Sequence, residues 1–100
     1  MEIDRIALYN DVSLLCSATT TQKYSTSFSL GTKFFSRDIQ EAIYSIYGFV
    51  RVADEIVDSF HSYNKEKLLA DFKKQTYEAI SEKISTNPIL QSYQIAVNRY

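Results

Sequence analysis

Residues 36–60 read Ser36-Arg37-Asp38-Ile39-Gln40-Glu41-Ala42-Ile43-Tyr44-Ser45-Ile46-Tyr47-Gly48-Phe49-Val50-Arg51-Val52-Ala53-Asp54-Glu55-Ile56-Val57-Asp58-Ser59-Phe60. Ile39, Ala42, Ile43, Ile46, Val50, Ala53, Val57 and Phe60 recur at three- and four-residue steps, the spacing of a helix face. Ser36 or Asp38 can cap the start, and Asp38 with Glu41 suits the positive end of the helix. About 22 residues at 1.5 Å each make a rod of roughly 33 Å, long for a small domain. Tyr44, Tyr47, Phe49 and Ile56 lie around the other side. A helix apolar over most of its circumference is expected to be central.

The rest of the chain reads as helices separated by short polar breaks. Ile3, Ile6, Ala7, Val12, Leu15 and Cys16 give a loose helical pattern from Ile3 to Ser17. Thr19 to Ser27 brings three consecutive threonines and a cluster of hydroxyls that compete for the backbone. A loop is expected there, followed by a short helix from Phe28 to Phe35. After a break at His61-Ser62-Tyr63-Asn64, Lys65 to about Ser85 reads as an amphipathic helix. Its apolar face is Leu68, Leu69, Phe72, Ala79, Ile80 and Ile84. Asn87-Pro88 restarts a helix, with Asn as cap and Pro at the first helical position. The pattern runs on through Tyr100 without a stop signal, so residues 1–100 are expected to be the N-terminal portion of a larger helical domain.

Composition narrows the function classes. The 100 residues are 45% hydrophobic and 23% charged, enough to bury a core. Eleven basic against 12 acidic residues leave a net charge of -1, which disfavours nucleic acid as a partner. One cysteine, Cys16, rules out an internal disulfide and suits a reducing, cytoplasmic setting. No apolar run is long enough to span a membrane, and MEIDRIALYN lacks the layout of a signal peptide. Two glycines and one proline suit long helices better than a turn-dense β fold.

The residues that carry chemistry lie inside the long helix. At 100° per residue, Tyr47, Arg51, Asp54 and Asp58 fall within about 60° of one another. Asp54 and Asp58 form a like-charge pair one turn apart, which costs an isolated helix a few tenths of a kcal/mol. Next to a buried face they need a cationic companion, either Arg51 or a divalent metal. Mg²⁺ commonly takes one or two carboxylates and completes its shell with substrate phosphates. An adjacent arginine would neutralise the same diphosphate. The competing reading is a solvated face on which Arg51 pairs with Asp54. His61 reads as a polar loop residue, since no second histidine exists to share a metal, and Cys16 reads as a small core residue.

Ser25-Thr26-Ser27-Phe28 through Asp58 resembles the squalene and phytoene synthase family, the head-to-head prenyl diphosphate synthases. These read S-x-S-F and then a helix with (I/L)-Y-x-(F/V)-(C/V)-R-x-x-D-(D/E)-x-x-D; here Ile46-Tyr47-Gly48-Phe49-Val50-Arg51 leads into Asp54-Glu55-Ile56-Val57-Asp58. The spacing from Ser27 to Tyr47 fits without a gap. Asp-Glu-Ile-Val-Asp looks most like phytoene synthases, whereas squalene and dehydrosqualene synthases more often resemble Asp-Asp-x-x-Asp or Asp-Thr-x-Glu-Asp. Two departures stand out. Phe35-Ser36 and Gln40 occupy the places of an L-P pair and an arginine, and no second aspartate-rich segment follows Asp58.

The resemblance implies an all-α isoprenoid-synthase (terpenoid synthase) fold with a central cavity, of which this chain holds the N-terminal helices. It implies a transferase that joins two geranylgeranyl diphosphates through a cyclopropyl diphosphate to phytoene, a carotenoid precursor. Squalene or dehydrosqualene from farnesyl diphosphate is the sister alternative. Asp54 and Asp58 would hold Mg²⁺, with Mn²⁺ as the substitute ion, and Arg51 would contact diphosphate. Ser25 and Ser27 would bind diphosphate oxygens, Tyr47 would face the reacting carbons or the leaving group, and Phe28 with Tyr47 would line the pocket. Lipid substrates would bring peripheral membrane contact. The rival from another class is a non-catalytic helical module that keeps the same fold.

Overall fold

The stretch 36–60 forms the helix that everything else packs on. The computed structural model describes residues 4–100. In chain order these form α1 (Arg5–Tyr24), α2 (Thr26–Thr32), α3 (Arg37–Ser59), α4 (Lys65–Glu82) and α5 (Pro88–Arg99). The described residues contain no strand, so the all-α expectation holds. α3 packs against α1, α4 and α5, while α5 also packs against α1 and α4. The side chains at the helix starts do what their chemistry suggests. Asp4 accepts from the Ile6 and Ala7 amides, Asn64 from Lys67, and Asn87 from Ile89 and Leu90. Ser36, rather than Asp38, caps α3 by accepting from Ile39, and Asp38 stands in the first turn. Pro88 occupies the first turn of α5.

Several expectations change. Thr19 to Tyr24 is helix, not loop: α1 runs unbroken to Tyr24, and the break shrinks to Ser25. The hydroxyls do not compete with the helix because they bond back along it. Thr20 donates to the Cys16 carbonyl at 2.8 Å and Thr21 to the Ser17 carbonyl at 2.9 Å. The short helix expected at Phe28–Phe35 is Thr26–Thr32 instead, capped by the Ser25 side chain. α4 stops at Glu82, where Lys83 turns left-handed at φ 61° and returns its amide to Ala79. Leu68 and Leu69 are exposed rather than packed. Ile3 lies outside the described residues.

The largest correction concerns which side of α3 is inside. Its buried residues are Tyr44, Ser45, Gly48 and Ile56. Ile39, Ile46, Val50 and Val57 from the periodic apolar series are exposed, the last three at 47%, 46% and 48%. The reason lies in α1, whose buried positions Ser13, Ser17 and Thr21 are small and spaced four apart. They bring the α1 backbone so close that a Cβ on Gly48 would stand 3.1 Å from the Ser17 Cα. A polar seam of small residues thus wins the α1–α3 contact and leaves Ile39, Ile46, Val50 and Val57 outside, while Ala53 and Phe60 of the same series still pack on the core.

The apolar core forms at the other end, where Ile56, Phe72, Ala79 and Leu90 cluster with Phe49, Val52, Ala53 and Phe60 against them. Phe49 stacks on Tyr93 at 3.9 Å between ring centroids and on Phe72 at 5.5 Å. Tyr44 is buried but satisfied: Gln40 Nε2 donates to its hydroxyl at 3.0 Å, and Thr32 Oγ1 donates at 3.3 Å. Hydrogen bonds from Ser29 and then Thr32 hold its phenol below the ordinary tyrosine value. The Ser45 and Ser92 hydroxyls join α3 to α5. Gln91 Nε2 reaches Asn10 Oδ1 at 2.8 Å and so ties α5 to α1.

Candidate functional site

Two separate stretches meet at one place on α3. Ser25 serves both helices of the α1–α2 junction. Its amide donates to the Thr21 carbonyl at 2.9 Å to close α1, and its Oγ accepts from the Phe28 amide at 3.3 Å to open α2. This one-residue joint turns the side chains on either side of it toward α3. The Phe28 ring stacks on Tyr47 with centroids 5.1 Å apart and planes 25° apart. The Tyr24 ring lies under the Arg51 guanidinium, whose carbon is 4.9 Å from the ring centroid.

The charges around Arg51 differ from the simplest reading of the helix. Arg51 pairs with Glu55, Nη2 to Oε2 at 3.5 Å, and not with Asp54. Both side chains are mostly covered, at 24% and 22% exposure. Arg51 Nε is buried and finds no partner among the described residues. Hydrogen bonds from Ser59 and then Tyr24, with the Arg51 charge adding to them, hold the Glu55 carboxyl below the ordinary range. The reciprocal effect raises the Tyr24 phenol, chiefly through the same hydrogen bond to Glu55 and then through burial.

Asp54 and Asp58 are exposed, and neither is in an ion pair among the described residues. They are the oxygen donors available to a cation on this face. No group of three or more potential ligands forms among the described residues. Beside them on the helix run the exposed Ile46, Val50 and Val57, so the carboxylates border an open apolar wall rather than a buried face. Ser27 is exposed in the first turn of α2. Of the seven residues singled out from sequence, Phe28, Tyr47, Arg51 and the Ser25 joint are brought together, with Asp54 and Asp58 on the same helix.

Two neighbours escaped the sequence reading. Glu55 was legible as an (i, i+4) partner of Arg51. Tyr24 was not, because the loop expected around it gave no direction to its side chain. The cleft of about 160 Å³ between α1, α3 and α5, lined by Asp11, Asp38, Glu41 and Arg99 among others, includes none of the seven. Among the described residues, no helix is long and apolar enough to cross a membrane.

A profile of the squalene/phytoene synthase family matches residues 21–100. No curated protein and no solved structure matches the chain. The family match begins just before the α1–α2 joint and covers α3 with both aspartates, the same segments that converge in the fold. The chain therefore belongs to the squalene/phytoene synthase family, prenyltransferases of isoprenoid biosynthesis whose substrates are prenyl diphosphates.

Proposed function

We propose that these helices form one wall of the active site of a Mg²⁺-dependent head-to-head prenyltransferase, joining two geranylgeranyl diphosphates to phytoene for carotenoid biosynthesis. The observation that carries this reading is the convergence at α3: Phe28 on Tyr47, Tyr24 on Arg51, and two free carboxylates on the same helix. The Asp-Glu-Ile-Val-Asp form of the motif favours phytoene over squalene or dehydrosqualene as product. In this reading residues 1–100 are the N-terminal portion of a single helical domain.

The donor set fits the metal. Two exposed carboxylates with no ion-pair partner among the described residues are hard oxygen ligands, and Mg²⁺ needs no more than that from protein when phosphate oxygens complete its octahedron. Asp54 and Asp58 would hold it, Mn²⁺ serving in its place, and when bound it would supply charge that eases departure of diphosphate. Arg51 has an unpartnered Nε–H beside this face and would offer it to diphosphate oxygens. Ser25 and Ser27 would add hydroxyl or backbone donors. The ring faces of Phe28 and Tyr47 would stabilise positive charge developing on carbon. Ile46, Val50 and Val57 would seat the hydrocarbon and keep water from it. Lipid substrates and product give the reading a peripheral membrane contact on the cytoplasmic side.

Titration of inorganic pyrophosphate into the chain by calorimetry, with and without Mg²⁺, tests the reading. Binding that requires Mg²⁺ is expected, and Asp54→Asn is expected to abolish it. Equal binding by the variant would sink the metal assignment. Product analysis with geranylgeranyl and farnesyl diphosphates then separates phytoene from squalene chemistry.

A further inference from the structure

Arg51 has three flexible methylenes and keeps 24% of its side chain exposed, so something must hold its guanidinium in one plane. The ion pair to Glu55 does this poorly. At 3.5 Å it is well beyond the ~2.7–2.9 Å of a strong charge-assisted hydrogen bond, so it tethers one edge without setting an orientation. The second contact is the Tyr24 ring, whose centroid lies 4.9 Å from the guanidinium carbon, and an aromatic face is a surface that a planar guanidinium matches better than an ammonium does.

The Tyr24 backbone is well anchored, although its ring is exposed. Tyr24 is the last residue of α1, next to a serine that caps two helices at once, and Thr21 one turn earlier is buried and bonded back to Ser17. Ser17, about two turns before Tyr24, is the residue against which Gly48 closes. Gly48 lies less than one turn before Arg51. The tight α1–α3 crossing therefore fixes both Tyr24 and the helix that carries Arg51, and the ring and the guanidinium meet because of it.

We propose that Tyr24 is a positioning residue: its ring face holds the Arg51 guanidinium in the plane from which it meets the diphosphate. The inference rests on the diphosphate-site reading above and assigns a role to a residue outside the Ser25–Asp58 motif. Tyr24 acts through Arg51 and touches no reacting atom. A leucine removes the ring and the hydroxyl, whereas a phenylalanine keeps the ring.

The experiment uses the 100-residue chain and two readouts. The first is the NMR signature of Arg51, whose guanidinium carbon lies 4.9 Å from the Tyr24 ring centroid, so the ring current is expected to displace the neighbouring side-chain protons upfield. Tyr24→Leu is expected to remove that displacement and Tyr24→Phe to retain it. The second is calorimetric titration with pyrophosphate and Mg²⁺, where losing a partly exposed cation–π contact corresponds to about a two- to fivefold weakening. Tyr24→Leu should show that loss, and Tyr24→Phe should bind like the wild type. Arg51 resonances unmoved by Tyr24→Leu, or wild-type pyrophosphate affinity in that variant, overturn the positioning role and leave the diphosphate site standing. Absence of pyrophosphate binding in the wild-type chain overturns the diphosphate site itself, and this inference with it.

Discussion

The two glycines of this chain should respond to alanine with opposite signs. Both are helical with ordinary backbone dihedrals, so alanine gains roughly 0.8–1.0 kcal/mol of helix propensity at an interior position. At Gly31 nothing lies within 4 Å of an added Cβ, and part of that gain should appear, since Gly31 is the next-to-last residue of α2. At Gly48 the same atom would stand 3.0 Å from Ser17 Oγ and 3.1 Å from both Ser17 Cβ and Cα. The hydroxyl can rotate away, but the Cα can retreat only if α1 moves. α1 is anchored at Asn10 by Gln91 and at Ser25 by its double cap. Overpacking of this kind costs about 1–3 kcal/mol, so Gly48→Ala should be a net loss of about 1 kcal/mol after the propensity gain. In a domain of this size that lowers the midpoint of thermal unfolding by about 4–8 °C. Urea denaturation followed by far-ultraviolet circular dichroism measures both variants against the wild type. If Gly48→Ala is as stabilising as Gly31→Ala, the two helices can spread without penalty and the close-crossing argument is wrong.

Three further outcomes are expected. Leu90 is completely buried in the apolar cluster, and Leu90→Ala should cost about 2–5 kcal/mol in urea unfolding; a loss below 1 kcal/mol would mean the cluster collapses into the gap. Ser13 is fully buried with a hydroxyl that finds no partner among the described residues. Ser13→Ala removes that unpaired group and improves helix propensity, so the chain should be more stable by roughly 0.5–1 kcal/mol, and a clear loss would show that the hydroxyl is satisfied in solution. The Tyr24 phenol is raised by its hydrogen bond to Glu55, so the folded state holds that proton more tightly than the unfolded one. Its contribution to stability is complete below the unfolded tyrosine value near 10 and fades as pH rises through the higher folded value. In a tyrosinate absorbance titration Tyr24→Phe should delete one of the late-ionising phenols, and loss of an early one would contradict the Glu55 contact.

The long central helix, its cap, the Asn87-Pro88 restart and the Tyr47–Arg51–Asp54–Asp58 stripe were all legible in the sequence. Each depends on spacing along one helix or on a cap chemistry that acts within a turn. Residues 25–58 also carried the family resemblance, since the motif spacing is a linear property. The loop expected from Thr19 to Ser27 failed for a local reason: whether a threonine hydroxyl breaks a helix or bonds back along it depends on its rotamer, which composition does not specify. The inside and outside of α3 failed for a tertiary one. A stripe of isoleucine and valine looks like a core to any periodicity argument, yet the close contact went to Ser17 against Gly48, within the buried series Ser13, Ser17 and Thr21. Small residues let two backbones approach, and that approach depends on what faces them across the gap. The same crossing put Tyr24 against Arg51, residues that lie on different helices and whose meeting no spacing within one helix can encode.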